Sequence, residues 1–148
     1  PGSGAARKDT VDRAAAVLLA DAARLAGVRR YLLVSSTGVD APPAPGTDEV
    51  WAAYLAAKKA AEEAVRAADL DWTILRPGRL TDDPGTGSVL LAPPPVGPGE
   101  VTRDDTAAVL VALLDTPGTA GLVLELREGD TDVLQAAARG SRRECGDE

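Results

Sequence analysis

The order of helical and strand-like segments constrains the fold of this chain more than any other feature of its sequence. Short, dense apolar runs such as "YLLV" alternate with longer segments whose apolar residues recur at helical spacing. The predicted order is helix, strand, helix, strand, helix, strand, with helices at 10–26, 48–68 and 104–115 and strands at 31–34, 70–78 and 121–129. Such alternation is typical of a parallel sheet flanked by helices, so the predicted fold class is α/β.

Local signals place the boundaries of these segments. Gly27 is a natural stop for the first helix, and Asp48 and Glu49 put negative charge at the start of the second. The third begins at a Thr-x-x-Asp sequence, Thr102 to Asp105, which is a helix-capping pattern. Proline and glycine make 37–47 a loop, and 88–92 is a loop or a short strand.

The pattern begins with a helix, whereas a parallel sheet of this kind begins with a strand. We therefore expect residues 1–130 to be the C-terminal part of a single domain that is incomplete at its N-terminus. Residues 131–148 have little periodicity and are predicted to be a polar, frayed tail. A sheet opened at a central strand exposes backbone donors and acceptors, so we expect self-association through that edge.

Composition excludes several classes of function. The chain has 148 residues, a net charge of −7 and 3% aromatic residues, which argues against nucleic acid and anionic membranes as partners. It has no histidine and one cysteine, Cys145, so zinc sites and Ser-His or Cys-His nucleophiles are excluded, and no metal site is predicted. No apolar run reaches the roughly 18 residues of a membrane span, and a reducing cytoplasm is the expected location.

The second helix contains Tyr54 and Lys58, four residues apart and therefore on one helix face. A nearby cation favours phenolate and lowers the pKa of a tyrosine, which can then exchange a proton with a carbonyl or alcohol. Taken alone, this pair indicates no more than an amphipathic helix with a packed tyrosine and a solvated lysine.

Two predicted strands end in residues suited to a ligand site. The first ends in Ser35, Ser36 and Thr37, at the edge of a parallel sheet where ligands usually bind, although hydroxyls there also satisfy local backbone groups. The second ends in Pro77 and Gly78, and glycine permits close approach of a ligand to the backbone.

These motifs together, in this order, resemble the short-chain dehydrogenase/reductase superfamily. The chain is most similar to the atypical, NmrA-like NAD(P)H-binding branch, with a Rossmann-like fold. The similarity covers roughly residues 8–128 and rests on "GVRRYLLVSSTGVD", "YLAAKKAAEEAV", "LDWTILRPGRLTDDPGTG" and "VTRDDTAAVLVALLD".

The resemblance implies roles for individual residues. Tyr54 is the general acid/base, and Lys58 lowers its pKa and holds the nicotinamide ribose. Ser36, or its neighbour Ser35 or Thr37, polarises the substrate carbonyl. The implied cofactor-binding residues are Gly2, Ser3, Gly4, Ser35, Lys58, Pro77, Gly78, Arg79 and Leu80.

The glycine-rich first turn of the family, which places a pyrophosphate on a helix N-terminus, is absent from the sequence. The implied function is an NAD(P)H-dependent oxidoreductase for a small carbonyl or quinone-like substrate, with NADP slightly favoured and no activity in this portion alone. The alternative is a non-catalytic regulator that binds NAD(P)(H) and senses its redox state.

Overall fold

The computed structural model describes residues 9–141. A π-helical turn, Asp9–Ala14, leads directly into the first α-helix. The α-helices are α1 (Ala15–Leu25), α2 (Glu49–Ala67), α3 (Arg103–Leu114) and α4 (Val133–Gly140). The strands are β1 (Arg30–Val34), β2 (Asp71–Pro77), β3 (Arg79–Thr81), β4 (Ser88–Ala92), β5 (Glu100–Thr102), β6 (Leu122–Glu128) and β7 (Thr131–Asp132).

The main sheet has the strand order β1-β2-β6-β4-β7. Strands β1, β2 and β6 are parallel, with Val34 opposite Leu75 and Pro77 opposite Leu126. Strands β4 and β7 add to this sheet in the antiparallel direction, and β3 and β5 form a separate parallel pair. The predicted α/β class with a Rossmann-like parallel sheet is confirmed, and so are the three predicted strands.

Two apolar clusters hold the fold together. The larger surrounds β6 and joins it to α3, α4 and β4, with Val109, Leu113, Leu124 and Leu126 fully buried. The smaller joins β1 and β2 to α1 and α2. Because β2 lies between β1 and β6, all its residues from Thr73 to Pro77 are buried, as expected for the inside of a parallel sheet.

Side-chain caps fix the starts of α2 and α3 as the sequence predicts. The Asp48 carboxylate accepts hydrogen bonds from the backbone N–H groups of Val50 and Trp51, at 2.9 and 3.0 Å. The Thr102 hydroxyl accepts from the Asp105 N–H at 2.9 Å and donates to its carboxylate at 3.0 Å. Both helices therefore begin at defined positions beside the carboxyl ends of the parallel strands.

The prediction of a frayed tail from residue 131 is wrong for its first part. Residues 131–140 form β7 and α4, because the Asp132 carboxylate caps the helix and Val133, Ala136 and Ala137 pack into the larger cluster. The rest of the predicted tail, residues 142–148, lies outside the described residues. The segment 88–92 is a strand, β4, at the centre of the antiparallel part of the sheet.

Within residues 9–141, β1 pairs with β2 on one side only, so its other edge is open. None of the helices described is long and apolar enough to cross a membrane. The same residues contain no group of carboxylates or cysteine that could hold a metal ion.

Candidate functional site

The carboxyl ends of β1 and β2 place two predicted segments of the site side by side. Backbone hydrogen bonds continue past the strands, from Ser35 N to Leu75 O at 2.7 Å and from Thr37 N to Pro77 O at 3.2 Å. The segments 35–37 and 77–80 therefore meet at one edge of the sheet, where parallel α/β folds bind ligands.

Helix α2 brings Tyr54 and Lys58 to the same edge. The Lys58 ammonium lies 5.5 Å from the centre of the Tyr54 ring and donates to the Val34 carbonyl at 3.1 Å. It also forms a salt bridge of 3.1 Å with Asp12, in which both side chains are largely buried. Lys58 is thereby fixed between the first helical segment and the end of β1.

The pKa of Tyr54 is raised, whereas the sequence predicted that Lys58 would lower it. Burial is the main cause, since it disfavours phenolate, and the negative charge of Asp12 acts in the same direction. A hydrogen bond with Ser36 opposes both effects. The expected lowering is overturned because burial and the nearby Asp12 carboxylate outweigh the hydrogen bond with Ser36, so Tyr54 is a neutral phenol at neutral pH.

A cavity of about 650 Å³ gathers these groups. Its wall contains every described residue that the sequence assigned to the site: Ser35, Ser36, Thr37, Tyr54, Lys58, Pro77, Gly78, Arg79 and Leu80. The predicted cofactor residues Gly2, Ser3 and Gly4 lie outside the described part of the chain. The other described residues of the wall are Val34, Trp51, Arg103 and the pair Pro98–Gly99.

The serines of this wall differ in their partners. The Ser36 hydroxyl is close enough to Tyr54 to affect its pKa, and it donates to the Thr37 carbonyl at 3.1 Å. The Ser35 side chain is buried, with 3% of its surface exposed, and its hydroxyl has no hydrogen-bond partner among residues 9–141. A buried hydroxyl without a partner is costly, so its place in a cavity wall fits a polar ligand group such as those of NAD(P)H.

Several residues that shape the site were missed in the sequence. The Trp51 ring stacks on Tyr54 with 5.1 Å between ring centres, and the spacing of three residues on a helix could have indicated this contact. Asp12 carried no signal, because its partner Lys58 is 46 positions away in the chain.

The ion pairs of the buried Arg76 were also missed. The Arg76 guanidinium donates to both oxygens of Glu62, at 2.8 and 2.7 Å, and to the Asp40 carboxylate at 2.5 Å. Burial by itself lowers the pKa of Arg76, but these carboxylates outweigh burial and hold it above its usual value. An arginine inside an otherwise apolar strand was the available signal, since a buried charge requires a partner.

A comparison with protein families decides the identity of the domain. The model of a family described as NAD(P)H-binding matches residues 2–117, which include the described part of the cavity wall. The chain belongs to this NAD(P)H-binding family. The predicted relationship to atypical short-chain dehydrogenases/reductases is thereby confirmed, together with the capacity of the family to bind NAD(P)H.

Individual proteins agree with this assignment. An uncharacterized sugar epimerase YhfK of Bacillus subtilis is 36% identical over 126 residues, which are 85% of this chain and 58% of that protein. A putative NAD-dependent epimerase/dehydratase from Bacillus halodurans superposes with a TM-score of 0.87 at 31% identity, over 94% of this chain and 64% of that one. The oxidoreductase ylbE from Lactococcus lactis gives 0.83 at 27% identity, over 99% and 68%.

The chain therefore spans about three fifths of the length of these first two relatives.

Proposed function

We propose that the protein is an NAD(P)H-dependent oxidoreductase of the atypical short-chain type that acts on a small carbonyl or quinone-like substrate. One observation supports this most directly: Ser36, Tyr54 and Lys58 line a single cavity in a chain of the NAD(P)H-binding family. The Ser35 hydroxyl, Lys58 and the backbone of residues 77–80 are the groups that would hold the cofactor. When bound, NAD(P)H supplies a hydride.

The proton comes from Tyr54 in this proposal. Its raised pKa keeps the phenol protonated at neutral pH, so it can donate a proton to a carbonyl oxygen as the carbonyl is reduced. Ser36, which already hydrogen-bonds to Tyr54, polarises the same oxygen. Lys58 positions Tyr54 through its contact with the ring and compensates the charge left on the phenolate.

The test compares the two tyrosines of the chain. Tyr54→Phe removes the proposed acid, and we expect kcat for carbonyl reduction to fall by about 100-fold or more. Tyr31→Phe is the matched control, since the Tyr31 hydroxyl lies outside the cavity wall and donates to the Ala16 carbonyl at 3.2 Å. Equal activity of Tyr54→Phe and the unmodified protein would disprove the acid role.

The cofactor preference and the activity of the isolated chain need a second experiment. Parallel calorimetric titrations with NADH and NADPH test the proposed slight preference for NADP. They are run on the 148-residue chain and on a form of the protein as long as its relatives, and we expect turnover only in the longer form. Tight binding and turnover by the shorter chain would overturn that part of the proposal.

A second candidate function is a non-catalytic regulator that senses the redox state of NAD(P)(H). The Lys58–Asp12 salt bridge favours it. A lysine whose charge is paired with a carboxylate stabilises phenolate less, and the raised pKa of Tyr54 also disfavours phenolate, so Tyr54 is poorly suited to accept a proton. This function predicts cofactor binding without turnover over a broad panel of carbonyl compounds, in which sugars belong because one relative is named a sugar epimerase. Turnover with kcat on the order of 1 s⁻¹ would exclude it.

A further inference from the structure

A second cavity of about 620 Å³ adjoins the proposed active site. The two cavities share Thr37 and Pro98 in their walls, so a molecule whose reacting carbonyl faces Tyr54 has this second space beside it. The wall of the second cavity is completed by Gly38, Asp40, Ala41, Arg76, Pro94, Pro95, Gly97 and Glu125.

Among the described residues, few side chains of this wall can donate hydrogen bonds. Pro94, Pro95 and Pro98 have no backbone N–H, and the glycines and Ala41 have no polar side chain. Arg76, the one cation among the described residues of the wall, already donates from each of its three nitrogens to Glu62 or Asp40. The described side chains of the wall therefore offer a ligand acceptors and apolar surface, with the Thr37 hydroxyl and the remaining N–H groups of Arg76 as donors.

Glu125 is the acceptor best placed to recognise a ligand. It lies on β6, between Arg76 of β2 and Ala92 of β4 in the sheet register, and only 7% of its surface is exposed. One carboxylate oxygen accepts the Val96 N–H at 2.8 Å, which ties the proline-rich loop to the sheet. A carboxylate has about four acceptor positions, so Glu125 retains capacity for a donor from a ligand.

The charges of the wall add a second criterion. Glu125 and Asp40 are two anions against one cation, and that cation is also neutralised by the buried Glu62. An anionic substrate would have to enter a space with excess negative charge, where the buried Glu125 repels it more strongly than the exposed Asp40 does. A neutral molecule with a hydroxyl group can donate a hydrogen bond to the Glu125 carboxylate and is not repelled by the negative charge of the wall.

We propose that this second cavity is the substrate-recognition pocket and that Glu125 is its specificity-determining residue. The pocket takes neutral carbonyl compounds that carry a hydroxyl group away from the reacting carbon, and it rejects carboxylates. This inference rests on the proposed function for the reacting end of the substrate, and it deepens that proposal by naming the substrate class.

The test uses three ketones that differ in one substituent: cyclohexanone, 4-hydroxycyclohexanone and 4-oxocyclohexanecarboxylate. In the longer form of the protein, the one in which turnover is expected, kcat/KM for the hydroxylated ketone should exceed that for cyclohexanone by about 10-fold, as expected for one hydrogen bond to a charged group. Glu125→Gln should reduce this ratio to a few-fold and raise kcat/KM for the carboxylate about 10-fold, since it removes the repelling charge. Unchanged ratios in Glu125→Gln would overturn the proposal.

Glu128→Gln is the matched control. Glu128 lies on the same strand, is exposed and lies outside the wall of this cavity, so the same change of charge there should leave all three ratios as they are. Equal effects of the two substitutions would show a general electrostatic effect and would also overturn the assignment of Glu125.

A measurement on the unmodified chain covers the case in which Glu125→Gln does not fold. The Val96 N–H resonance reports on the Glu125 carboxylate directly, because the two are hydrogen-bonded. We expect 4-hydroxycyclohexanone to shift this resonance and cyclohexanone to leave it in place; equal responses would contradict the pocket. A selective Val96 shift without turnover of any ketone would retain the pocket and reject the oxidoreductase function, whereas turnover without selectivity would do the reverse.

Discussion

Helices α1 and α3 have nearly the same length, 11 and 12 residues, yet the fold uses them differently. In α3 five residues are buried, including Val109 and Leu113, whereas in α1 only Ala20 is buried. Helix α1 also contains large apolar residues, but they do not pack into the core: Leu18, for example, has 72% of its surface exposed. The helical pattern alone therefore does not decide which apolar residues enter the core.

The place of each helix relative to the main sheet explains the difference. Helix α3 packs in the larger cluster with β6, which has strand neighbours on both sides. Helix α1 lies in the smaller cluster with β1, which is an edge strand in residues 9–141. We infer that α3 is held in place by the apolar cluster around β6, whereas α1 is held mainly by its contact with α2.

The largest expected effect comes from the same substitution in the two helices. Leu113→Ala leaves a cavity in the core and should reduce the free energy of unfolding by about 2–5 kcal/mol. Leu18→Ala removes an exposed side chain from a helix and should change it by no more than about 0.5 kcal/mol. Urea unfolding followed by circular dichroism measures both, and similar losses would remove the distinction between the helices.

A second prediction concerns Asp105, which fixes the start of α3. Its carboxylate accepts the backbone N–H groups of Thr86 and Gly87, at 2.9 and 2.8 Å, and so ties the loop before β4 to the helix. Asp105→Asn should cost about 1–3 kcal/mol at pH 7, because one oxygen acceptor is replaced by a donor. Asp21→Asn, in an exposed position of α1, is the matched control and should be near neutral.

The same substitution has a predicted pH dependence. Burial acts to raise the pKa of Asp105, but the hydrogen bonds from Thr86, Gly87 and Thr102 outweigh it, so the pKa is lowered on folding. The stability that the carboxylate supplies is then fully present above the unfolded pKa, near 3.9, and is lost as the pH falls through the lower folded value. Unfolding measured from pH 7 to pH 2 should show the cost of Asp105→Asn shrinking at the acid end. A cost that is independent of pH would contradict the carboxylate's role.

Local signals in the sequence were sufficient for the first three helices and the three parallel strands of the main sheet. The dense run at Tyr31–Val34 and the capping residues Asp48 and Thr102 predict elements that the structure contains, because these signals depend on near neighbours in the chain. Helix α4 was missed although Asp132 is a cap, since its buried residues are mostly alanines with little apolar contrast.

Contacts between distant positions could not be predicted in the same way. The segments 35–37 and 77–80 were placed together because parallel strands end at one edge of a sheet. Asp12 beside Lys58 and Glu62 beside Arg76 depend on how helices pack on that sheet, which no spacing in the sequence encodes. The pKa of Tyr54 was predicted in the wrong direction because the sequence showed the lysine but neither the burial of the phenol, which is the main cause of the raised pKa, nor the Asp12 carboxylate nearby.

The smallest expected effect on stability tests the open side of the molecule. Leu18 and Leu19 on α1 are exposed, and among residues 9–141 no strand pairs with the outer edge of β1, so we predict that two copies of the chain associate through this side. Leu18→Lys should weaken that association on the order of 10-fold, since it places a charge in apolar surface that the contact would bury. Val111→Lys is the control on α3, where the side chain is exposed to a similar extent.

Sedimentation equilibrium over a range of protein concentrations distinguishes these outcomes. Both variants should unfold within about 0.5 kcal/mol of the unmodified chain, because neither side chain is buried in the monomer. Weaker association in Leu18→Lys alone would place the contact between two chains on α1 and not on the exposed face of α3. Equal weakening in both would mean that exposed apolar residues associate without regard to the sheet edge. An unmodified chain that stays monomeric at every concentration would contradict the predicted association. The difference between α1 and α3 would then be limited to how each helix packs within one chain.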